Sequence, residues 1–257
     1  MNILEADHFD THICISADCS EALLTKADEL CISYENKFSK FIHGSEVWML
    51  NHGADLKDVS KETADLVAFA EKLKTDTGGM YDIKWCGEYD LGSIAKGYIA
   101  DRIAELLKAG GCGCALINLG GNILTVGGRP DGSDWVIGLQ VPAVDRSRRS
   151  EYFAVVRSRD NSVVTSGNYE RGHLNNGCWE GHIVDARTFE SPSGSVLSAT
   201  VIAGDSLTAD ALSTPLFILG PEKSRPLIAE YGISAVFCMS DGSVMTFDMG
   251  KHGFKLT

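Results

Sequence analysis

The stretch "YDLGSIAKGYIADRI", Tyr89 to Ile103, decides the reading of this chain. It begins as the end of a strand, turns through Gly92 and runs into an amphipathic helix. Lys96 sits where the helix begins, between Ala95 and Gly97. Glycine at such a junction lets backbone N–H groups approach a phosphate, and a helix N-terminus favours negative charge. A lysine adds a point charge at the same place. The stretch therefore has the makings of a diphosphate cradle, although it is neither a Walker A loop nor G-x-G-x-x-G, and strand–glycine–helix turns also occur as plain structure.

Around it the chain reads as alternating helices and strands. "SEALLTKADELCISYENKFSKF" has apolar spacings of three and four after a cap at Asp18 or Ser20, and predicts a long helix. "SKETADLVAFAEKLKTDTGG" predicts a second, capped by Ser60 and ended by Gly78–Gly79. "SEVWMLN" reads as a short helix or turn. "HFDTHICIS" and "YDIKW" read as strands. "CALINLGGNILTVGG" is a strand, a Gly-Gly turn and a strand, and "WVIGLQV" is expected to pair back through "RPDGSD". "YFAVVRS", "SVVTSG" and "VLSATVIAG" are strands. "YERGHLNNGCWEGHIVDARTFESP" reads as a polar loop, and "DRSRRSE", with Arg146, Arg148 and Arg149, as a solvated basic loop. "TADALSTPLFILG" and "PEKSRPLIAEYG" predict helices, and "ISAVFCMSDG" with "SVMTFDM" a closing hairpin. Helices mixed with antiparallel strands define an α+β class.

With 257 residues the chain suffices for one domain, or two closely packed lobes. A net charge of −12 argues against general nucleic-acid binding and against docking on anionic lipid. No window approaches a membrane span, and the first residues lack the pattern of a signal peptide or a lipoprotein leader. The eight cysteines are scattered apart from "CGC" at 112–114, without zinc-ribbon spacing. Free thiols in a reducing cytoplasm are the expectation, with a metal or redox role for Cys112 and Cys114 as the alternative.

Several further stretches carry chemistry. "NLGGN", 118–122, is a tight Gly-rich turn. "TSGNYER", 165–171, gathers hydroxyls, glycine and arginine after a strand. In "GHIVDAR" His182 precedes Asp185 by three residues, as a base and its orienting carboxylate do, and as unrelated neighbours also do. In "TADALST" Asp210 and Thr214 share a helix face. They are hard oxygen ligands suited to Mg²⁺, or parts of a kinked buried helix. Pro215 would leave the Ala211 carbonyl without its helical donor.

Together "FDTHICI", "SKFIHGSEVWMLN", "TGGMYDI", "YDLGSIAKGYIAD", "ALINLGGNI", "VVTSGNYER", "HIVDART" and "TADALST" resemble the ApbE family, from about residue 8 to about residue 247. The resemblance implies an ApbE-like α+β fold related to the T-fold, with mixed sheets, packed helices and a flavin and metal cleft. It implies the activity of FAD:protein FMN transferases: with FAD as substrate and Mg²⁺, FMN passes to a Thr or Ser hydroxyl of an acceptor redox flavoprotein and AMP is released. Some relatives instead hydrolyse FAD to FMN and AMP, and a member without turnover would be a flavin-binding protein. By position, Asp210, Thr214 and the Ser93 carbonyl match the metal ligands. Phe41, Gly79, Met80, Tyr81, Asp82, Asp90 and Lys96 match the flavin site, Thr165 and Ser166 its flavin or phosphate end, and His182 the base for the acceptor hydroxyl. The chain departs from the pattern in three places. Only "KWCGE" joins "GMYDI" to "YDLGS", where a flavin-covering segment is usual. Phe189 stands where glycine is usual, and Pro215 follows the metal threonine.

Overall fold

The computed structural model describes residues 1–143, 151–169, 172–175, 178–192 and 194–257. The basic loop at Arg146, Arg148 and Arg149 lies outside the described residues, as do Glu170 and Arg171 of "TSGNYER".

The chain opens with β1 (Asn2–His8), β2 (Thr11–Ala17), α1 (Glu21–Phe38), α2 (Glu46–Asn51) and α3 (Lys61–Asp76). It continues with β3 (Lys84–Trp85), β4 (Glu88–Tyr89), α4 (Ala95–Ala109), β5 (Ala115–Leu119), β6 (Asn122–Val126), β7 (Trp135–Gln140), β8 (Tyr152–Ser158) and β9 (Ser162–Ser166). β10 (Gly172–Asn175), β11 (Cys178–Gly181), β12 (Val196–Ala203), α5 (Ser206–Tyr231), β13 (Ser234–Met239), β14 (Val244–Phe247) and β15 (Lys255–Leu256) complete it.

The expected helix caps form. Ser20 and Ser60 accept the N–H of Leu23 and Thr63, and Gly78 and Gly79 turn the chain after α3 with φ of +61° and +79°. The two predicted C-terminal helices are one element broken at Gly220, whose φ is +74°, and Pro221 restarts it.

Eight strands form one sheet in the order β1-β2-β5-β6-β9-β12-β13-β14. Its pairings are all antiparallel, so the expected mixed sheets are antiparallel ones. A second sheet, β15-β8-β7, is also antiparallel. Strand alternation gives the large sheet two apolar faces. Val164, Val201, Ala235 and Phe237 join the main core with α1, α4 and α5, while Val163, Ile202 and Val236 pack on Ile137, Leu139, Ala154 and Val156 of the small sheet. The result is three layers: helices, large sheet, small sheet.

Four local readings need correction. "HFDTHICIS" is not one strand, because Phe9 and Asp10 both take φ of +55° and make the turn between β1 and β2. "WVIGLQV" does not pair back on β6, whose free edge β9 occupies with Asn122 opposite Val164; β7 pairs with β8 instead. Within "YDIKW" only Lys84–Trp85 is strand, in a two-residue hairpin around Cys86 and Gly87. The polar stretch after "TSGNYER" holds a hairpin, β10 with β11.

Candidate active site

Two elements meet where the opening motif turns into α4. The Asp90 carboxylate accepts the Gly92 N–H at 2.9 Å and shapes the turn, and Lys40 pairs with its other oxygen at 2.8 Å. Asn51 holds the strand that feeds the turn, bonding both the carbonyl (2.9 Å) and the N–H (2.7 Å) of Tyr89. Lys96 Nζ folds back to the Gly92 carbonyl at 3.2 Å.

Gly97 is the third residue of α4, and its N–H is one of the first-turn donors that find no partner within a helix. It donates to Asp210 Oδ2 of α5 at 2.8 Å. The Ser93 carbonyl lies just ahead of the helix, outside its hydrogen-bond ladder, which begins with Tyr98 N–H on the Ile94 carbonyl. The approach is so close that a Cβ on Gly97 would overlap the Ser206 carbonyl and stand 2.7 Å from Asp210 Cβ. Further along, Asp101 accepts the N–H of Ser206 (2.8 Å) and of Leu207 (2.9 Å), capping α5 from outside. Burial pushes the Asp101 carboxyl up to about 6 against those two bonds. α4 and α5 are thus locked by reciprocal backbone–carboxylate bonds.

Asp210 is 6% exposed. Burial raises its pKa, while Lys96, the Gly97 N–H and Asn122 favour the charged form. Asn122 is 1% exposed, and its Oδ1 accepts from Ser206 Oγ at 2.6 Å, which leaves its buried amide nitrogen to face the Asp210 carboxylate. A carboxylate this buried keeps its charge only against a cation. Thr214 lies one turn on, its hydroxyl 3.2 Å from Ser166 Oγ, which also meets Ser213 Oγ at 2.8 Å. Tyr81 closes the group: its ring is buried, its hydroxyl lies 2.8 Å from Ser93 Oγ, and burial with nearby Asp210, Asp82 and Asp90 raises its pKa. The Asp210 carboxylate, the Thr214 hydroxyl and the Ser93 carbonyl are an all-oxygen set, which fits a hard divalent cation such as Mg²⁺.

The structure therefore brings Tyr81, Ser93, Lys96, Ser166, Asp210 and Thr214 together. Thr165 does not join them. Successive residues of β9 face opposite ways, so Ser162, Val164 and Ser166 look to α5 while Thr165 bonds Thr200 at 2.8 Å beside the second core. Phe41 is 80% exposed under the Lys40 ammonium, which links it to Asp90. Gly79 supplies the turn after α3, Met80 is buried, and Asp82 pairs with Lys74 at 2.7 Å.

His182 is exposed on a separate turn, 182–191. Its neighbour Asp185 is engaged by Arg187, through Nη2 at 2.6 Å and Nε at 3.0 Å, which lowers the carboxyl pKa. Asn168 and Met80 tie the turn to the rest of the site. Asn168 accepts the Ile183 N–H at 2.9 Å and donates to Ser191 Oγ at 2.8 Å, and the Ala186 N–H reaches the Met80 carbonyl at 3.0 Å. Sequence reasoning missed Gly97, Asn51, Asn122 and Asn168 as site-building residues. Each stood within a quoted motif, and the clustering of side-chain amides and glycine in those motifs was the available signal. A cavity of about 370 Å³ lined by Tyr98, Asp101, Asp160 and Asp205 lies further along α4 and does not include the cluster.

The chain is thus a three-layer α+β protein in which a helix N-terminus, a place that favours negative charge, faces a buried carboxylate and hydroxyls. Residues 86–237 match the model of the ApbE family. The chain belongs to that family. It is 39% identical over 166 residues to a protein of Treponema pallidum named FAD:protein FMN transferase, a match covering 61% of this chain and 45% of that protein. A Klebsiella pneumoniae protein of the same name is 39% identical over 159 residues, covering 62% of this chain and 48% of its own. The matches thus span about half the length of these relatives. Among solved structures, an ApbE protein of Thermotoga maritima shares the fold at a TM-score of 0.83 with 22% identity, over 96% of this chain and 97% of its own. The flavin transferase ApbE from Vibrio cholerae gives 0.80 and 22%, over 96% of each chain.

Proposed function

We propose that the chain is an FAD:protein FMN transferase: it moves the FMN half of FAD onto a Thr or Ser hydroxyl of an acceptor redox flavoprotein and releases AMP. The observation that carries this reading is the bond from the Gly97 N–H, in the first turn of α4, to Asp210. It sets a buried carboxylate beside Lys96 at a helix N-terminus, where phosphate charge is stabilised, with the Ser93 carbonyl just ahead of that helix and the Thr214 hydroxyl one turn on from Asp210. The names of the relatives point the same way.

In this reading Asp210, Thr214 and the Ser93 carbonyl would hold Mg²⁺, which when bound neutralises charge on the FAD diphosphate. Lys96 and the first N–H groups of α4 bind the same phosphates, and Ser166 orients Thr214. Phe41, Asp90 and the segment Gly79 to Asp82 line the flavin end. The acceptor oxygen bonds to the FMN phosphorus as the bond from that phosphorus to the bridging oxygen breaks, and AMP leaves with that oxygen. His182 takes the hydroxyl proton, because an alcohol attacks poorly while it keeps it. Asp185 fixes the turn through Arg187. The acceptor is a protein and not a nucleic acid, in keeping with the net charge of −12. No described helix is long and apolar enough to cross a membrane. The described cysteines are free thiols, which supports a cytoplasmic setting.

One observation favours a second reading. Between Ile83 and Tyr89 the chain makes only a short hairpin, Lys84–Trp85 paired with Glu88–Tyr89, and with so little chain to cover a flavin, water in place of the acceptor would make the protein an FAD diphosphatase. The test is incubation with FAD, Mg²⁺ and a candidate acceptor, with AMP and acceptor mass both followed. Transfer gives one FMN per acceptor with AMP in step, and chelator abolishes both until Mg²⁺ is restored. AMP at the same rate without acceptor supports hydrolysis. Bound FAD with no AMP leaves a flavin-binding protein.

A further inference from the structure

Two carboxylates of the candidate site are each met by a lysine from another element. Lys74 of α3 pairs with Asp82 at 2.7 Å, and Lys40, in the link between α1 and α2, pairs with Asp90 at 2.8 Å. The second pair bears on the helix N-terminus. Asp90 accepts the Gly92 N–H at 2.9 Å with its other oxygen, so its charge lies against the turn that leads into α4. A helix N-terminus attracts an anion, and an uncompensated carboxylate beside it repels one. Lys40 sets a cation on that carboxylate. The side chains are 24% and 42% exposed, so solvent and salt screen the pair less than one on open surface.

The link does not depend on this ion pair to hold its place. Ser39 ends α1 with its N–H on the Glu35 carbonyl at 3.1 Å, and its hydroxyl accepts the Phe41 N–H at 3.3 Å. Asn51 of α2 fastens Tyr89 through both backbone groups. Lys40 thus stands between segments that are anchored without it, and what it adds at Asp90 is charge.

We propose that Lys40 is a positioning residue for the anionic substrate: it cancels the charge of Asp90, so that Asp90 can shape the Gly92 turn without repelling a diphosphate from the N-terminus of α4. The proposal rests on the transferase reading, which puts the FAD diphosphate at that N-terminus. What the turn needs from residue 90 is a hydrogen-bond acceptor, and an amide oxygen accepts from Gly92 as a carboxylate does. The negative charge is the part that works against the ligand, and Lys40 offsets it. The signs of the effects follow. Removing Lys40 alone should weaken FAD binding. Removing the charge of Asp90 alone should not weaken it. Removing both charges should restore it.

The experiment titrates FAD, with Mg²⁺ and no acceptor, into the full-length protein and its variants by calorimetry, and separately follows steady-state AMP release. Lys40→Met should bind FAD about 3–10-fold more weakly and raise KM by the same factor, with kcat within about twofold. The loss should shrink as salt is added. Lys40→Arg keeps the charge and should stay within about twofold of wild type. Asp90→Asn should bind at least as tightly as wild type, and Lys40→Met with Asp90→Asn should return to within about twofold of it. A lysine that only braces the fold would give no such recovery, because the second substitution cannot remake the lost bond. Lys57→Met, at an exposed pair with Asp55, controls for the change in net charge and should leave binding unaltered. Circular dichroism checks that each variant is folded. Wild-type affinity in Lys40→Met, or a double variant that binds no better than Lys40→Met, overturns this proposal alone. A wild type that binds no FAD overturns the transferase reading and the proposal with it.

Discussion

The α4–α5 junction and the turn 182–191 hold the two halves of the proposed chemistry by opposite means. At the junction the working groups are buried and bound to backbone: Gly97 to Asp210, and Asp101 to Ser206 and Leu207. The turn is exposed and rests on side-chain bonds, those of Asn168 and the Asp185–Arg187 pair, with one strand-like bond to Met80. The charge-stabilising half is therefore part of the core, and changing it costs packing as well as chemistry. The proton-accepting half is an accessory held on the surface, where a residue can be changed with little cost to the fold. An exposed turn also suits a group that must meet a macromolecular acceptor.

The sharpest way to break this contrast is at Asp210. Asp210→Ala removes the charged ligand of the proposed cation, and AMP release should fall by about 10²–10³-fold or more, the scale for losing one charge-stabilising group. Thr214→Ala removes a neutral ligand and should cost less. Steady-state AMP release against Mg²⁺ concentration measures both. Full activity in Asp210→Ala protein would remove the junction from the mechanism.

His182→Ala tests the other half. Acceptor labelling should fall by about 10²-fold, the usual scale for a general base, while FAD and Mg²⁺ binding and the melting temperature stay at wild-type values. Mass spectrometry of the acceptor and an FAD binding titration read the two effects separately. A loss of FAD binding as large as the loss of labelling would make His182 a structural residue of the turn.

What could be read in the sequence follows from which contacts are local. Ser20 and Ser60 cap helices three residues away, and Gly78 and Gly220 end or break them, so these were legible from spacing. The motif order placed Asp210 and Lys96 in one site. The bond from the Gly97 N–H to Asp210 was not legible, because its partner lies 113 residues away and only the close approach of two helices creates it. The Asn168 clamp spans fifteen residues of irregular chain, again with no local signature. β7 joined the wrong strand in sequence reasoning because pairing partners depend on which edge is already taken. Thr165 is different: strand alternation in "SVVTS" already turns its side chain away from that of Ser166, as its bond to Thr200 shows.

Asp101 offers a smaller test, of the junction alone. Burial raises its carboxyl to about 6, above the ordinary value near 3.9. The folded state thus favours the protonated form. Its contribution to stability is fully present below about pH 4 and is lost as pH rises through about 6. Asp101→Asn cannot titrate. The advantage of wild type over this variant should therefore be larger at pH 4 than at pH 7, by about 1–3 kcal/mol. Urea titrations of both proteins at the two pH values measure it. An advantage that is constant or grows with pH would mean that the carboxylate is ionised throughout and the cap is held by charge.

The smallest effect belongs to the turn. Phe189 has φ of +60°, a left-handed conformation that L side chains adopt at a cost of about 1–2 kcal/mol. Its N–H donates to the Asp185 carbonyl at 2.8 Å, so the backbone bonds of the turn impose that conformation. The ring itself is 57% exposed. Phe189→Gly removes the strain and gives back part of the gain through the greater freedom of glycine in the unfolded chain. The net should be a stabilisation of about 0.5–1 kcal/mol, read as a higher urea midpoint with an unchanged slope. Acceptor labelling by His182 should stay within about twofold, since surface changes that leave a backbone turn intact rarely move more than a few tenths of a kcal/mol. A destabilised Phe189→Gly protein would show that the ring packs usefully on its surroundings, and the turn would then share the junction's dependence on buried contacts.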